Sequence, residues 1–222
     1  MELTDCYRAM GSPLREAVVP LRASQAEVAG ELLAKAFQSD PAFVLAFSDP
    51  IRRRRALCWL FARLVRCACT CGRVLTTTTL AGVALWLGPD RQALPPWQLL
   101  RAGFGAFPFV CGWSAFLRFI RLAQHSQRLH SRAVHGRHWY LFALAVDPGR
   151  QRQGIGKALL RHLLTEADAS GLPCYLDTTN QANLAYYAEL GFALVGEQKV
   201  PLAQSELTIW AMVRPPHADT AQ

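Results

Sequence analysis

The sequence has no apolar run long enough to cross a bilayer. Its charge-free stretches do not exceed 16 residues, the length of Ala102–Leu117. That is short of the roughly 18–20 a spanning helix needs. Gly103, Gly105, Pro108 and Gly112 also interrupt it, so a buried or pocket-lining role is expected. The opening MELTDCYRAM is acidic and lacks an apolar centre, so no secretory leader is expected. Cysteine is present without a framework. The seven cysteines are odd in number and irregular in spacing, which predicts free thiols in a reducing, cytoplasmic setting. Cys67, Cys69 and Cys71 are one residue apart and lack a second half, whereas zinc sites use C-x₂₋₄-C in two separated halves. No metal is expected there, and small buried hydrophobes at a helix end fit better.

What is present reads as globular. Hydrophobic residues make up 51% and charged residues 18%, which argues against global disorder. At 222 residues the chain can bury one core, and a single domain is expected over 16–214. Residues 1–15 are expected to be loosely ordered and 215–222 frayed. The net charge is +8, mostly from arginine, and suits an anionic partner: nucleic acid, an acidic membrane or a phosphorylated cofactor. The run Arg52–Arg55 could touch nucleic acid. No aromatic platform accompanies it, so a solvated helix face is expected and nucleic acid is not.

Taken in order, Ala17–Leu21 reads as a strand. Ser24 with Glu27 matches a capping box for a helix that Asp40-Pro41 closes. Asp49-Pro50 reads as the cap of a second helix, ended by Gly72 in the usual C′ manner. Two strands follow, 73–79 and 80–87, as a hairpin. Residues 94–135 form a helical insert of two or three helices. Trp86, Trp97 and Trp113 are candidates to line a pocket, although tryptophans are more often core.

The informative stretch is HWYLFALAVDPGRQRQGIG, 138–156. Trp139–Val146 is a buried-strand pattern that Asp147-Pro148-Gly149 stops. A helix pattern then begins at Gly156 and runs to Ala169. Strand, glycine-rich turn and helix make an anion site, because the first N–H groups of a helix lack intrahelical partners and the helix dipole adds positive charge. Walker A fails: Ile155 stands where lysine belongs, and Ala158 follows Lys157 without a hydroxyl. The dinucleotide fingerprint fails at Leu159, where the third glycine belongs. The pattern [QR]-x-x-G-x-[GA] fits Gln151-Arg152-Gln153-Gly154-Ile155-Gly156 in full. The plainer alternative is a structural turn with a basic rim.

A second segment runs from Asn180 to Phe192. Cys174–Asp177 reads as a strand parallel to the first, and a helix is expected from Thr178–Asn180 through Leu190. Asn183 and Tyr187 then share one helix face. Phe192–Val200 and Glu206–Val213 read as an antiparallel pair.

Together these segments resemble the GNAT N-acetyltransferase superfamily. Gln151–Gly156 is similar to its pyrophosphate loop, and Asn180, Tyr187, Gly191 and Phe192 match its N-x-x-x-x-x-x-Y-x-x-x-G-F pattern. The Leu-Asp-Thr-Thr…Asn…Tyr-Tyr wording looks closer still to the branch around puromycin N-acetyltransferase. The likeness is strong over 138–192 and weak elsewhere. It implies an α/β fold with a mixed, centrally parallel β-sheet flanked by helices, the helical insert lying before the central strand. It also implies acetyl-CoA in a cleft where two parallel strands splay apart. The backbone of Leu144, Ala145 and Val146 would bond the pantetheine arm. Amides of Arg152, Gln153, Gly154, Ile155, Gly156 and Lys157, with Gln151, would hold the pyrophosphate. Asn180 or Asn183 would bond the cofactor, and Tyr187 would protonate the departing thiolate. Asp177 sits where some family members carry a carboxylate base, and it also reads as a helix N-cap or turn residue. His138 could act through water, but a lone histidine is more often structural.

The chemistry needs such parts. An amine attacks a thioester, an oxyanion develops and a thiolate leaves. Alignment of the two substrates and a strand N–H for the oxyanion supply much of the acceleration. The implied function is acetyl transfer from acetyl-CoA to a small-molecule or peptide amine in a ternary complex. The alternative is a non-catalytic acyl-CoA-sensing module of the same fold. The acceptor is not encoded legibly, and a homodimer is left open.

Overall fold

The computed structural model describes residues 16–90, 93–202 and 205–217. The expectations for 1–15 and for the last residues of the tail lie outside them. A seven-stranded sheet runs through the chain: β1 (Val18–Pro20), β2 (Gly72–Thr77), β3 (Gly82–Leu87), β4 (Trp139–Val146), β5 (Cys174–Thr178), β6 (Ala193–Leu202) and β7 (Ser205–Arg214). Its order is β1-β2-β3-β4-β5-β7-β6. Every neighbouring pair is antiparallel except β4 with β5. The expected mixed sheet with a parallel centre is what forms.

Each face of the sheet has its own core. One face packs against α1 (Ala26–Ala36), α3 (Pro50–Cys71) and α6 (Trp113–Ala133). The other packs against α7 (Ile155–Ala169), whose Leu159, Leu160, Leu163 and Leu164 recur at helical spacing and are all buried with Trp86 and Trp139. Each such leucine contributes about 1.5–3 kcal/mol over leaving it in water. Arg214, at the end of β7, clamps the far end of α7: its two terminal nitrogens meet the two Asp168 carboxylate oxygens at 2.7 and 2.8 Å.

Several local expectations need correction. Ser24 does not cap α1. It lies in a 3₁₀ turn, Ala23–Gln25, closed by the Arg22 N–H donating to the Gln25 side chain at 3.0 Å. Asp40 does more than end α1: its carboxylate accepts the Ala42 N–H at 3.0 Å and caps a further short helix, α2 (Pro41–Ala46). Asp49 caps α3 as expected, accepting from Ile51 and Arg52. Gly72 ends α3 without a left-handed turn, since its φ is −145°. Glycine is needed there for space: a Cβ would lie 2.1 Å from the Trp86 carbonyl oxygen across the hairpin. The basic run is split. Arg52, Arg54 and Arg55 are exposed, whereas Arg53 is buried and donates to the Phe47 carbonyl at 2.8 Å.

Residues 96–133 form α4 (Pro96–Arg101), α5 (Phe107–Cys111) and α6. The charge-free stretch within them is amphipathic rather than wholly inward. Phe107 is buried, but Phe109, Trp113 and Leu117 are exposed. No helix among the described residues is long and apolar enough to cross a membrane. No group of three or more His, Cys, Asp or Glu side chains among them could hold a metal.

Beneath the sheet's centre, His130 of α6 stacks on Tyr175 of β5 with ring centroids 4.2 Å apart. Its Nε2 lies 2.7 Å from His138 Nε2. The Gly136 carbonyl can only accept, so His138 Nδ1 donates to it at 2.8 Å. The His138 Nε2 therefore accepts, and His130 donates. This arrangement requires a neutral His138 ring, and burial holds the His130 ring neutral as well. Burial, and then His138, depress the His130 pKa from 6.5 to about 4. A depressed histidine contributes stability above the unfolded pKa that is lost as pH falls toward the folded one. Stability should therefore drop between about pH 6.5 and 4, by about 3 kcal/mol for this ring. Urea denaturation at pH 7.5 and pH 5 checks it: His130→Gln, which keeps a donor and does not titrate, should lose less than the native chain.

Candidate functional site

The site forms where the parallel pair comes apart. β4 and β5 are in register only from Trp139↔Cys174 to Leu141↔Leu176. Beyond that point β4 follows β3 and β5 follows β7. A register shift against Leu85/Trp86 makes Phe142 an extra residue in β4, and such a bulge bends the strand away from its neighbour. The β5-facing edge of 142–146 therefore has no ladder partner among the described residues. Leu144 lines the resulting crevice, while Ala145 turns its side chain into the core and offers only backbone.

The loop after β4 is held from outside. Lys35 of α1 contacts the Asp147 carboxylate at 3.0 and 3.3 Å, and Asp147 accepts the Gly149 N–H at 2.8 Å. Arg150 donates to Thr79 at 2.8 Å and pairs with Glu16. Gln151, Arg152, Gln153 and Gly154 are exposed, and the Gln151 amide donates to the Val146 carbonyl at 3.4 Å. Arg152 and Gly154 have φ of +61° and +81°. That left-handed kink turns the chain into α7, one residue earlier than expected. The first intrahelical bond runs from Ala158 N–H to the Gly154 carbonyl at 3.0 Å. The N–H groups of Ile155, Gly156 and Lys157 precede it and point into the loop. Ile155 and Gly156 can offer nothing but backbone: the Ile155 side chain is buried in the core, and a Cβ on Gly156 would meet the Tyr186 hydroxyl at 2.7 Å. The Lys157 ammonium is taken by Glu189 at 2.6 Å.

After β5 the chain does not enter a helix at once. Asn180 closes a turn, its side chain accepting the Ala182 N–H at 3.1 Å, and α8 spans only Asn183–Ala188. Asn183 donates to the Thr178 hydroxyl at 3.4 Å and lines the crevice, as does Tyr187 one turn on. Asn180 is not among the lining residues. Tyr186 packs against Gly156 instead, its hydroxyl buried without a hydrogen-bond partner.

The crevice opens into a cavity of about 590 Å³ on the α1–α3–α6 face. Asp177 lies on its wall and caps no helix. Its two oxygens accept from the Tyr140 hydroxyl, at 2.7 Å, and from the Ser126 hydroxyl. Burial raises its pKa even though both hydroxyls pull it down. Burial likewise raises Asp40, whose Oδ1 accepts from Thr179 at 3.0 Å. The Tyr187 hydroxyl is pushed well above the ordinary phenol value, first by burial, then by Tyr186, Asp177 and Asp40. Trp86, Trp97 and Trp113 line none of this: Trp86 faces α7 and the other two are exposed.

Residues 77–192 match the family model described as acetyltransferase (GNAT) family, more than half of the chain. The chain belongs to the GNAT acetyltransferase family. The match is to the family as a whole and specifies no branch. An uncharacterised N-acetyltransferase of Schizosaccharomyces pombe is 24% identical over 202 residues, covering 86% of this chain and 80% of the relative. The [ribosomal protein bS18]-alanine N-acetyltransferase of Escherichia coli is 46% identical over 55 residues, 23% of this chain and 37% of that one. A solved Corynebacterium glutamicum structure, described as histone acetyltransferase HPA2 and related acetyltransferase, superposes with a TM-score of 0.63 at 22% identity, covering 93% of this chain and 99% of that one. That likeness speaks for the GNAT fold alone.

Sequence reasoning named Leu144, Asp177, Asn183 and Tyr187, which line one crevice, and the 151–157 loop, which follows β4 and is not among the lining residues. It missed Asp40, Ser126 and Tyr140. Tyr140 had a signal, a phenol inside an otherwise apolar strand pattern. Ser126, 51 residues from Asp177, had none. The raised Asp177 pKa has a measurable consequence. A carboxyl whose folded pKa is raised destabilises the fold above that pKa and is relieved as pH falls through it. Asp177→Asn should therefore melt a few degrees higher than the native chain at pH 8, with the gap closing on acidification. Calorimetry across pH 5–8 measures it.

Proposed function

We propose that this chain is an acetyl-CoA-dependent N-acetyltransferase that moves the acetyl group directly to an amine, both substrates being bound together. The observation that carries the reading is convergence. The unpaired edge of β4 and the Tyr187 side chain line one crevice that opens into the cavity, and the start of α7 follows β4 to lie beside α8, where Gly156 approaches the Tyr186 hydroxyl and Lys157 pairs with Glu189. The residues fit acetyl-CoA. A chain of amides in the pantetheine arm suits an open strand edge, and a diphosphate suits the free N–H groups of Ile155, Gly156 and Lys157 beside the side-chain-free Gly154. When bound, acetyl-CoA supplies an activated thioester carbonyl and a thiolate leaving group.

The chain's own residues then have defined tasks. The 144–146 edge orients the arm, and an N–H of the bulged strand meets the developing oxyanion. Asn180 and Asn183 hold the turn and helix that flank the arm. Tyr187, with its pKa raised, stays protonated across physiological pH and donates to the departing sulfur. Asp177 attracts the acceptor ammonium and takes its proton, since burial makes it a stronger base than an exposed carboxylate. Ser126 and Tyr140 fix its orientation from behind. A cytoplasmic location belongs to this reading and rests on the odd, unframed cysteine set.

Acetyl-CoA at hundredfold excess over its dissociation constant should stabilise the fold by about 2.7 kcal/mol and raise the melting temperature by several degrees. Gly154→Glu should remove the shift by putting a carboxylate in the anion site. No shift at millimolar acetyl-CoA would sink the reading. Tyr187→Phe should cut kcat at least tenfold with the shift intact, measured by thiol release. A chain that only sensed acyl-CoA would show the shift with no turnover on any amine.

A further inference from the structure

The cavity beyond the crevice is segregated by polarity. Its polar wall is made by Asp40, Ser126, Asp177, Thr179, Asn183 and Tyr187, with Thr179 donating to Asp40 and Ser126 to Asp177. Its opposite wall is phenylalanine, contributed by elements far apart in sequence: Phe37, Phe43, Phe61, Phe107, Phe116 and Phe119. These rings brace one another. Phe37 lies 5.2 Å from Phe61, Phe43 lies 5.7 Å from both Phe37 and Phe61, and Phe107 lies 5.3 Å from Phe119 and 6.2 Å from Phe116. Such a wall is preformed and does not need ordering by a ligand. Among the described lining residues, Asp40 and Asp177 are the carboxylates, and no lysine, arginine, histidine or glutamate joins them.

Resting on the acetyltransferase reading, we infer that the acceptor is a primary amine carried on a bulky apolar body, aromatic or alkyl, with no second charge. The ammonium meets Asp177 and Asp40 at the polar wall, beside Tyr187. The body lies against the phenylalanines, where each buried methylene adds affinity. A polyamine whose chain runs on past Asp177 and Asp40 would have to leave its second ammonium among the phenylalanines, where no carboxylate lies. A peptide would have to strip its backbone amides of water against the phenylalanines, which offer them no partner. A volume of about 590 Å³ is in the range of sites for drug-sized ligands and is larger than an acetyl group requires.

The test follows thiol release from acetyl-CoA by the full chain, with n-alkylamines of increasing length and phenylalkylamines compared with putrescine, spermidine and an alanine-initiated peptide. The expected result is a kcat/KM rising about three- to fourfold per methylene until the cavity fills. Putrescine should fall at least hundredfold below the alkylamine of matching length. Phe119→Asp, at a half-buried ring, should flatten the length dependence while the acetyl-CoA thermal shift persists. Should that variant not fold, the native chain's length dependence decides alone. A flat series, or putrescine or the peptide equalling the matched alkylamine, overturns the inference and leaves the acetyltransferase reading standing. A preference for long-chain acyl-CoA with small amines also overturns it, because the phenylalanine wall would then hold the acyl group. Absence of any acetyl-CoA shift removes both.

Discussion

Two parallel strands that pair over three residues and then part are the constraint on which the rest depends. A strand with an open edge inside a protein leaves N–H and C=O groups without partners, and such groups are costly when buried. Here β3 and β7 carry the two strands apart on either side, and the bulge at Phe142 sets where the divergence starts. The open edge is tolerable because it borders a crevice rather than packed core. Everything chemically notable lies on that border: the α7 N-terminus after β4, and the Asn183–Tyr187 helix after β5. Ligand crevices at the carboxyl ends of parallel strands follow from this geometry generally.

The crevice joins two chemically different spaces. Beyond β4 lies an exposed, basic-rimmed loop with backbone donors, suited to a charged and solvated group. Toward α1, α3 and α6 the cavity is aromatic and carries two carboxylates. The two carboxylates there are raised by burial, and Tyr187 is raised first by its own burial and then by Tyr186 and these carboxylates. In the function we propose, an acid held protonated and a carboxylate held as a stronger base, lining one cavity, divide the two proton transfers of an acyl transfer between them. The cost is a destabilised pair of half-buried carboxylates, partly offset by the hydroxyls of Ser126, Tyr140 and Thr179. The family and the fold are established; the division of labour within the site is our reading of this electrostatic arrangement.

The sequence by itself determined the local elements whose causes are local. The apolar run Trp139–Val146, the stop at Asp147-Pro148, and the Gln151–Gly156 loop were legible because glycine, proline and hydrophobic periodicity act within a few residues. The Asn180–Phe192 pattern was legible for the same reason, and with the loop it carried the family. Only the tertiary structure decided what depended on distant partners. Gly72 was misread because its need for space comes from Trp86 across the hairpin, and the contact of Asp40 with Thr179 was missed because it joins positions 139 residues apart. Tryptophan in the sequence carries no sign of which face it will take, so Trp86 turned to α7 while Trp97 and Trp113 stayed outside. The aromatic wall draws its phenylalanines from positions 37 to 119, and Ser126 reaches Asp177 across 51 residues. Such a pocket is created by packing layers over a twisted sheet, and no spacing rule along the chain records it.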